Sequence, residues 1–371
     1  MTRGSRASRA PVFIPDESLE EMRRKLLDRR VTAQSGEPDP WAMGCDLQLL
    51  DQVCDHWSTE FDWRSTERRL NQLGPVEFAG VHAFRPSPGG MPILLLHGWP
   101  STPLEYLPAA ELLGDRGFDP IVPSLPGFAF SEDAGPETNV VAITARLRAL
   151  LEEGLGLREF AIAGGDWGAV IGARLAFEMK DATVGFYVST PATLPGPGNV
   201  EVPELDQEEI EYAQRARDWL RRDGHHMVVQ ASVPDAVSIA LSDSPAGLCG
   251  YLLEKYRRWG DTGGDPTTRF DLDTLCEWLT AQWATGSVSS AMRLYRAERL
   301  NRWRLGPSER IDVPAAVSCW AGEPLHPPRR WVERVLPDIR RWSVAEGGGH
   351  FAAFEEPDAY VSDLEGFLGS L

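Results

Sequence analysis

The apolar run Phe160-Ala161-Ile162 feeds directly into Ala163-Gly164-Gly165-Asp166-Trp167-Gly168-Ala169, and few backbones satisfy both halves. An apolar run bounded by glycines reads as a buried strand, and helical periodicity begins again without a linker. A strand and a helix joined so tightly need glycine where the two backbones touch. The central side chain of Gly164-x-Asp166-x-Gly168 is then held at the top of a parallel sheet. This is a turn that presents a nucleophile, with a carboxylate where a serine commonly stands. A serine must first lose its proton to a base, whereas an aspartate is ionised at neutral pH. Such a group suits attack on saturated carbon, and the ester it forms must then be cleaved by an activated water. Alone the pattern is weak, because Gly and Asp are ordinary turn residues.

The rest of the 371-residue chain supplies the context. Strand signals at Val76 to Phe84, Pro92 to Leu96, Asp119 to Val122, before Asp166 and at Val184 to Ser189 alternate with helical stretches. Those stretches lie near Glu105 to Leu113, near Val140 to Glu153 and after Asp166, which predicts an α/β sheet covered on both faces. The rhythm stops at the Pro- and Gly-rich segment Pro191 to Pro203. Helical periodicity follows at Glu208 to Leu220, Gly247 to Trp259, Leu272 to Trp283 and Ser287 to Leu300. Strands return at Pro314 to Trp320 and Arg341 to Val344, before a last helix at Ala359 to Leu368. A helical block between two halves of such a core reads as a lid over a site. Ahead of the sheet, helical patterns at Asp16 to about Asp28, Leu47 to Trp57 and Ser65 to Leu73 form a front section without obvious chemistry. The expected division is 1–85 helical extension, 86–190 first half of the core, 191–300 cap and 301–371 second half.

Charge excludes several partners. With 37 Lys and Arg against 55 Asp and Glu, a net charge of −18, the chain is poorly suited to nucleic acid or an anionic membrane. The five cysteines, Cys45, Cys54, Cys249, Cys276 and Cys319, are dispersed and odd in number, so neither a zinc site nor a disulfide framework is expected. The N-terminal Met1 to Arg6 is basic but lacks a signal peptide's apolar stretch, and the longest apolar run elsewhere is Ile93 to Leu96. A soluble cytoplasmic protein needing no metal or organic cofactor is expected, with a homodimer left open.

Chain order then supplies partners for Asp166. His350 closes Glu346-Gly347-Gly348-Gly349-His350-Phe351, after the last predicted strand and before the last helix, where a histidine-bearing loop of an α/β-hydrolase fold belongs. Glu323, just beyond the strand at Ala315 to Cys319, is placed to bind the far imidazole nitrogen and stabilise the cation that forms as water loses its proton. His97-Gly98-Trp99-Pro100 follows an earlier strand, so the backbone N–H groups of Trp99 and Trp167 are candidates for an oxyanion hole. His97 itself reads as a loop-fixing residue.

These residues resemble the epoxide hydrolases of the microsomal type, an α/β-hydrolase core with an N-terminal helical extension and a helical cap. The similarity rests on Asp62-Trp63-Arg64 with Leu70-Asn71, on His97-Gly98-Trp99-Pro100 with Ser101 and Glu105, and on Gly164 to Gly168. It continues through Asp243-Ser244-Pro245-Ala246-Gly247-Leu248 and Gly348-Gly349-His350-Phe351-Ala352-Ala353-Phe354-Glu355-Glu356-Pro357. The resemblance implies Asp166 as nucleophile, His350 as water-activating base, Glu323 as its orienting acid and a small-molecule epoxide as substrate. It also implies two cap tyrosines that donate to the epoxide oxygen. Tyr295 matches one, and His226 stands where the other is expected, four residues before Gln230. The expectation is partial replacement of the donor pair by His226, suited to a natural-product epoxide; the alternative is that His226 points away and Tyr295 works alone or with a substrate group. The rivals are a dehalogenase acting on haloalkanes, a biosynthetic enzyme directing ring opening without water, and a degenerate hydrolase that only binds a ligand.

Overall fold

The computed structural model describes residues 6–33, 36–133, 135, 138–194 and 205–371. Met1 to Ser5 of the basic N-terminus and 195–203 of the Pro- and Gly-rich stretch lie outside the described residues. The chain starts with a short strand β1 (Ser8–Arg9), then helices α1 (Asp16–Leu27), α2 (Leu47–Thr59) and α3 (Trp63–Leu70), and strands β2 (Val76–Phe78) and β3 (Val81–Phe84). Alternation follows, through β4 (Pro92–Leu96), α4 (Leu107–Asp115), β5 (Asp119–Pro123), α5 (Val140–Ala149), β6 (Phe160–Gly164), α6 (Trp167–Glu178) and β7 (Thr183–Val188). A helical block comes next: α7 (Gln207–Arg222), α8 (His225–Ser232), α9 (Pro234–Asp243), α10 (Pro245–Trp259), α11 (Leu272–Trp283) and α12 (Val288–Leu300). The chain closes with β8 (Ala315–Cys319), α13 (Arg329–Glu333), β9 (Ile339–Val344), α14 (Ala352–Glu355) and α15 (Pro357–Leu368).

All the strands join one sheet in the order β1-β2-β3-β5-β4-β6-β7-β8-β9, antiparallel from β1 to β5 and parallel from there on. Neighbouring residues of β7 show how both faces are covered. A Cβ on Gly185 would meet Phe367 of α15, while the Phe186 ring lies under Gly172 of α6. Successive strand residues point to opposite faces, so α6 and α15 sandwich the sheet. In β4, Ile93 to Leu96 are fully buried, which is why that strand reads as a continuous apolar run rather than an alternation.

Three departures have local causes. The single strand signal at Val76 to Phe84 is a hairpin turning at Ala79-Gly80, both at positive φ (54° and 75°), and an alanine there carries none of the usual Asn-Gly signature. Helices α8 and α9 were not foreseen as separate elements, because Pro234 and Pro245 each restart a helix within a few residues of the preceding one. Ser8–Arg9 turns a segment read as tail into the edge strand of the sheet.

The front section clamps the helical block. Fully buried Trp57 of α2 donates its indole N–H to the Thr280 hydroxyl of α11 at 2.8 Å, Thr66 reaches Glu277 at 2.8 Å, and Lys25 pairs with Asp243 at 2.6 Å. Among the described residues no single helix is long and apolar enough to cross a membrane.

Candidate active site

The turn at Asp166 has the tightness its glycines imply. A Cβ on Gly168 would sit 1.9 Å from the Leu96 carbonyl oxygen, so β4 and α6 can approach only with glycine there. Asp166 itself adopts φ 49°, ψ −126°, an unfavourable conformation for a residue with a Cβ, costing about 1–3 kcal/mol. The Asp166 N–H donates to the Thr190 hydroxyl, which helps to hold the turn. Its carboxylate lies at the N-terminus of α6, where helix N–H groups and the helix dipole favour negative charge. The Trp99 N–H donates to Asp166 Oδ1 at 2.8 Å, and the Trp167 N–H also faces the carboxylate. Burial raises the Asp166 pKa, while His350 and these two N–H groups oppose the rise.

His350 Nε2 stands 3.8 Å from Asp166 Oδ2, and its Nδ1 bonds Glu323 Oε2 at 2.8 Å. The carbonyl acceptor role of Trp259, at the end of α10, fixes the His350 N–H at 2.8 Å, and Gly322 N–H to Gly348 oxygen at 2.8 Å joins the acid loop to the histidine loop. Burial alone would lower the His350 pKa. Glu323, Asp166 and Glu105 outweigh it and push the imidazole up to about 9.

Above this triad, the Trp99 indole gathers the remaining candidates. Tyr295 of α12, buried, meets the Trp167 ring edge-on at 4.9 Å and the Trp99 ring at 5.9 Å. Burial, with Asp166 nearby, holds its pKa well above 10, so the hydroxyl keeps its proton. His226 of α8 stacks on Trp99 at 5.1 Å with an interplanar angle of 8°, and is 3% exposed. His97 accepts the Leu125 N–H on Nε2 at 3.1 Å and bonds the Gly98 carbonyl through Nδ1, a loop-fixing arrangement. The structure therefore brings Asp166, His350, Glu323, Tyr295, His226, Trp99 and Trp167 into one region.

Sequence reasoning gave Glu105 no role, although it belongs to the quoted motif. Glu105 is 5% exposed and lines the same small cavity as Gly98, Trp99, Ser101, Asp166 and His350. Burial pushes its carboxyl up to about 8, opposed by Ser101 and His350. The available signal was a lone acid between Pro103, Leu104, Tyr106 and Leu107, where a carboxylate has no reason to be buried unless it serves the site. Among the described residues no group of three or more His, Cys, Asp or Glu side chains is arranged to hold a metal ion.

Comparison with known proteins agrees with this geometry. A family model described as epoxide hydrolase N terminus matches residues 8–106, and one described as alpha/beta hydrolase family matches residues 93–363. Epoxide hydrolase 1 of Sus scrofa is 28% identical over 397 residues, covering 96% of this chain and 87% of its own length. The juvenile hormone epoxide hydrolase of Bombyx mori is 30% identical over 387 residues, covering 95% and 84%. Its crystal structure superposes with a TM-score of 0.86 at 26% identity, over 99% of this chain and 95% of that one. The Aspergillus niger epoxide hydrolase structure gives 0.82 at 26% identity, over 100% and 97%. With an epoxide-hydrolase N-terminal segment leading into an α/β-hydrolase core, the chain belongs to the microsomal-type epoxide hydrolase family.

Proposed function

We propose that this protein converts an epoxide to a vicinal diol through an ester on Asp166. The observation that carries the reading is the Asp166 carboxylate, held by the Trp99 N–H at 2.8 Å and facing a Glu323-bound His350 at 3.8 Å. An Asp166 oxygen attacks a ring carbon, and the C–O bond electrons pass to the departing oxygen, which takes a proton from the Tyr295 hydroxyl. Without that donor an alkoxide, a strong base, would have to leave bare, so its protonation lowers the barrier. In the second step His350 takes a proton from water and the hydroxide adds to the ester carbonyl. The Trp99 and Trp167 N–H groups carry the resulting oxyanion, and collapse of the tetrahedral intermediate expels the diol with the proton from imidazolium. Glu323 fixes the tautomer that leaves Nε2 free for the water.

The 3.8 Å gap suits this division of labour. It is too long for a direct hydrogen bond, so the imidazole does not cap the attacking oxygen. A cytoplasmic location and a natural-product epoxide as substrate belong to this reading. The buried cysteines, of which Cys54, Cys249 and Cys276 are fully enclosed, support the first, and the absence of a tyrosine at position 226 motivates the second. One observation favours halide displacement instead: the buried Trp167 indole N–H, which faces the Tyr295 hydroxyl, is a donor that a departing halide can use.

The test is to incubate a His350→Gln variant with styrene oxide, trans-stilbene oxide and 1,2-epoxyhexane and record intact mass. The expected result is a stable adduct equal to the epoxide's mass, mapping to Asp166. No adduct with any epoxide, alongside adduct formation from a haloalkane, would overturn the reading in favour of displacement at carbon–halogen bonds.

A further inference from the structure

The second proton donor is the part of the site that the sequence leaves unresolved, and the geometry at His226 decides what that residue can do. Its Nδ1 lies 3.3 Å from the carbonyl oxygen of Asp223, an acceptor, which requires the hydrogen to be on Nδ1. Burial, reinforced by nearby Lys255, pushes the imidazole down to about 3, so the ring is neutral at working pH. A neutral imidazole protonated at Nδ1 has only a lone pair at Nε2. His226 can therefore accept a hydrogen bond inside the site but has no proton to give to a departing oxygen.

A phenol stands close by on another helix. Tyr251 of α10 is only half-buried, whereas Leu248 and Lys255, one turn before and after it, are buried. Its ring meets Trp99 edge-on at 6.1 Å, as Tyr295 does at 5.9 Å, and the backbone N–H of that same Trp99 holds Asp166. The two phenols are near enough that Tyr251 contributes to the raised pKa of Tyr295. Gln230, one helical turn beyond His226, donates its side-chain N–H to the Tyr251 hydroxyl oxygen at 3.4 Å. A hydroxyl that accepts from an amide keeps its own hydrogen for another acceptor, and the same amide supports the negative charge left when that hydrogen departs.

We propose that Tyr251 is a catalytic residue that shares with Tyr295 the protonation of the departing epoxide oxygen, taking the place that His226 cannot fill. The inference rests on the reading of Asp166 as nucleophile. As the Asp166 oxygen forms its bond to carbon, the ring C–O electron pair moves to oxygen, and one phenol hydrogen bonds to that oxygen while the other transfers. The phenolate regains the second proton of the hydrolytic water, the one left on the Asp166 carboxyl when the diol departs, so each turnover consumes one epoxide and one water and returns both groups to their starting states. His226 contributes a flat stacking surface for Trp99 and one acceptor atom.

Single-turnover stopped flow on the full chain tests this, with trans-stilbene oxide as probe and the fluorescence of the site tryptophans as signal. Alkylation is the first phase and ester hydrolysis the second. In Tyr251→Phe the alkylation rate is expected to fall about 10- to 100-fold, the loss typical of one donor in a shared set. Ester hydrolysis should stay within about 2-fold, since no step routed through Tyr251 remains. The Tyr251→Phe/Tyr295→Phe double variant is expected to form no adduct. Unchanged alkylation in Tyr251→Phe would overturn the proposal, and so would an equal fall in both phases, which marks a displaced ring rather than a lost donor. Adduct formation by the wild type separates the two readings: its absence indicts Asp166, whereas its presence with an undiminished Tyr251→Phe rate indicts Tyr251 alone.

Discussion

Three carboxyl groups surround one imidazole, and their charges are linked. With His350 raised to about 9 and Glu105 to about 8, near pH 7 the resting site holds a cationic His350 and a neutral Glu105, so the imidazole must give up a proton before it can serve as base. Alkylation removes the Asp166 charge that helps to hold the imidazolium, so His350 becomes a readier base when the ester needs one. Glu105 also raises His350. Glu105→Gln is therefore expected to move the acid limb of ester hydrolysis to lower pH, read from the second phase of single turnovers between pH 5 and 9. Stability should respond as well. A carboxyl raised by folding contributes stability that is present below about pH 4.5 and lost as pH climbs toward 8. Glutamine removes that loss, so Tm of Glu105→Gln relative to wild type should improve between pH 5 and pH 9; a constant difference would mean that Glu105 does not ionise in the buried site. At this scale sequence is informative about residues on one ordered path, such as Asp166, Glu323 and His350, whose loops follow successive strands. It marks Glu105 only as a lone acid among apolar neighbours and is silent on Tyr251, because a role there depends on where side chains from separate helices converge, and periodicity marks a face without saying what meets it.

Elements hold these residues in register through contacts that cross the chain's divisions. The Pro100 carbonyl beside Trp99 accepts the Gln282 amide of α11 at 3.0 Å, so the loop bearing one N–H donor is positioned by the helical block. That block is held in turn by the front section through Trp57 and Thr280. Trp57→Ala removes a fully buried indole and leaves the Thr280 hydroxyl only its long 4.0 Å contact to the Met22 sulfur, at a cost of about 3–5 kcal/mol. Trp57→Phe keeps most of the apolar volume and should cost roughly 1–3 kcal/mol, mainly by removing the indole donor to the Thr280 hydroxyl. Urea titration measures both, and equal losses in the two variants would show that the hydrogen bond, not the volume, couples the sections. Alkylation should slow in Trp57→Ala as well, because α11 carries Gln282. Most helices were legible from apolar periodicity, including Leu272 to Trp283 at both ends. The short α8 and α9 were not, since helices of eight and ten residues give too few turns for a period to stand out.

The whole molecule poses a competition that pH can settle. Fifty-five acidic against 37 basic side chains give −18, and mild acid relieves that repulsion, which favours the folded state. Three buried histidines pull the other way. His82 and His97 are pushed down to about 4 and His226 to about 3, in each case chiefly by burial. The unfolded chain binds protons on these imidazoles near pH 6.5, whereas the folded chain resists until pH 4 or below. Their stabilising contribution is thus present above pH 6.5 and lost as pH falls. At 1.36 kcal/mol per pKa unit the three together forfeit on the order of several kcal/mol between pH 6.5 and 4.5, a large share of a typical 5–15 kcal/mol. Surface repulsion is spread over the molecule and screened within about 10 Å at 0.1 M salt, and the raised Glu105 carboxyl offsets only part of the loss from three imidazoles, so the buried histidines should win. Calorimetric Tm is expected to fall steadily from pH 7 to pH 4.5, with 0.5 M NaCl giving little rescue. His82→Gln should flatten that fall, because an amide can still donate to the Ala10 carbonyl that His82 Nε2 reaches at 2.9 Å and has nothing to titrate. A Tm that rises on acidification would instead assign control of stability to the net charge, and His82→Gln would then leave the slope unaltered.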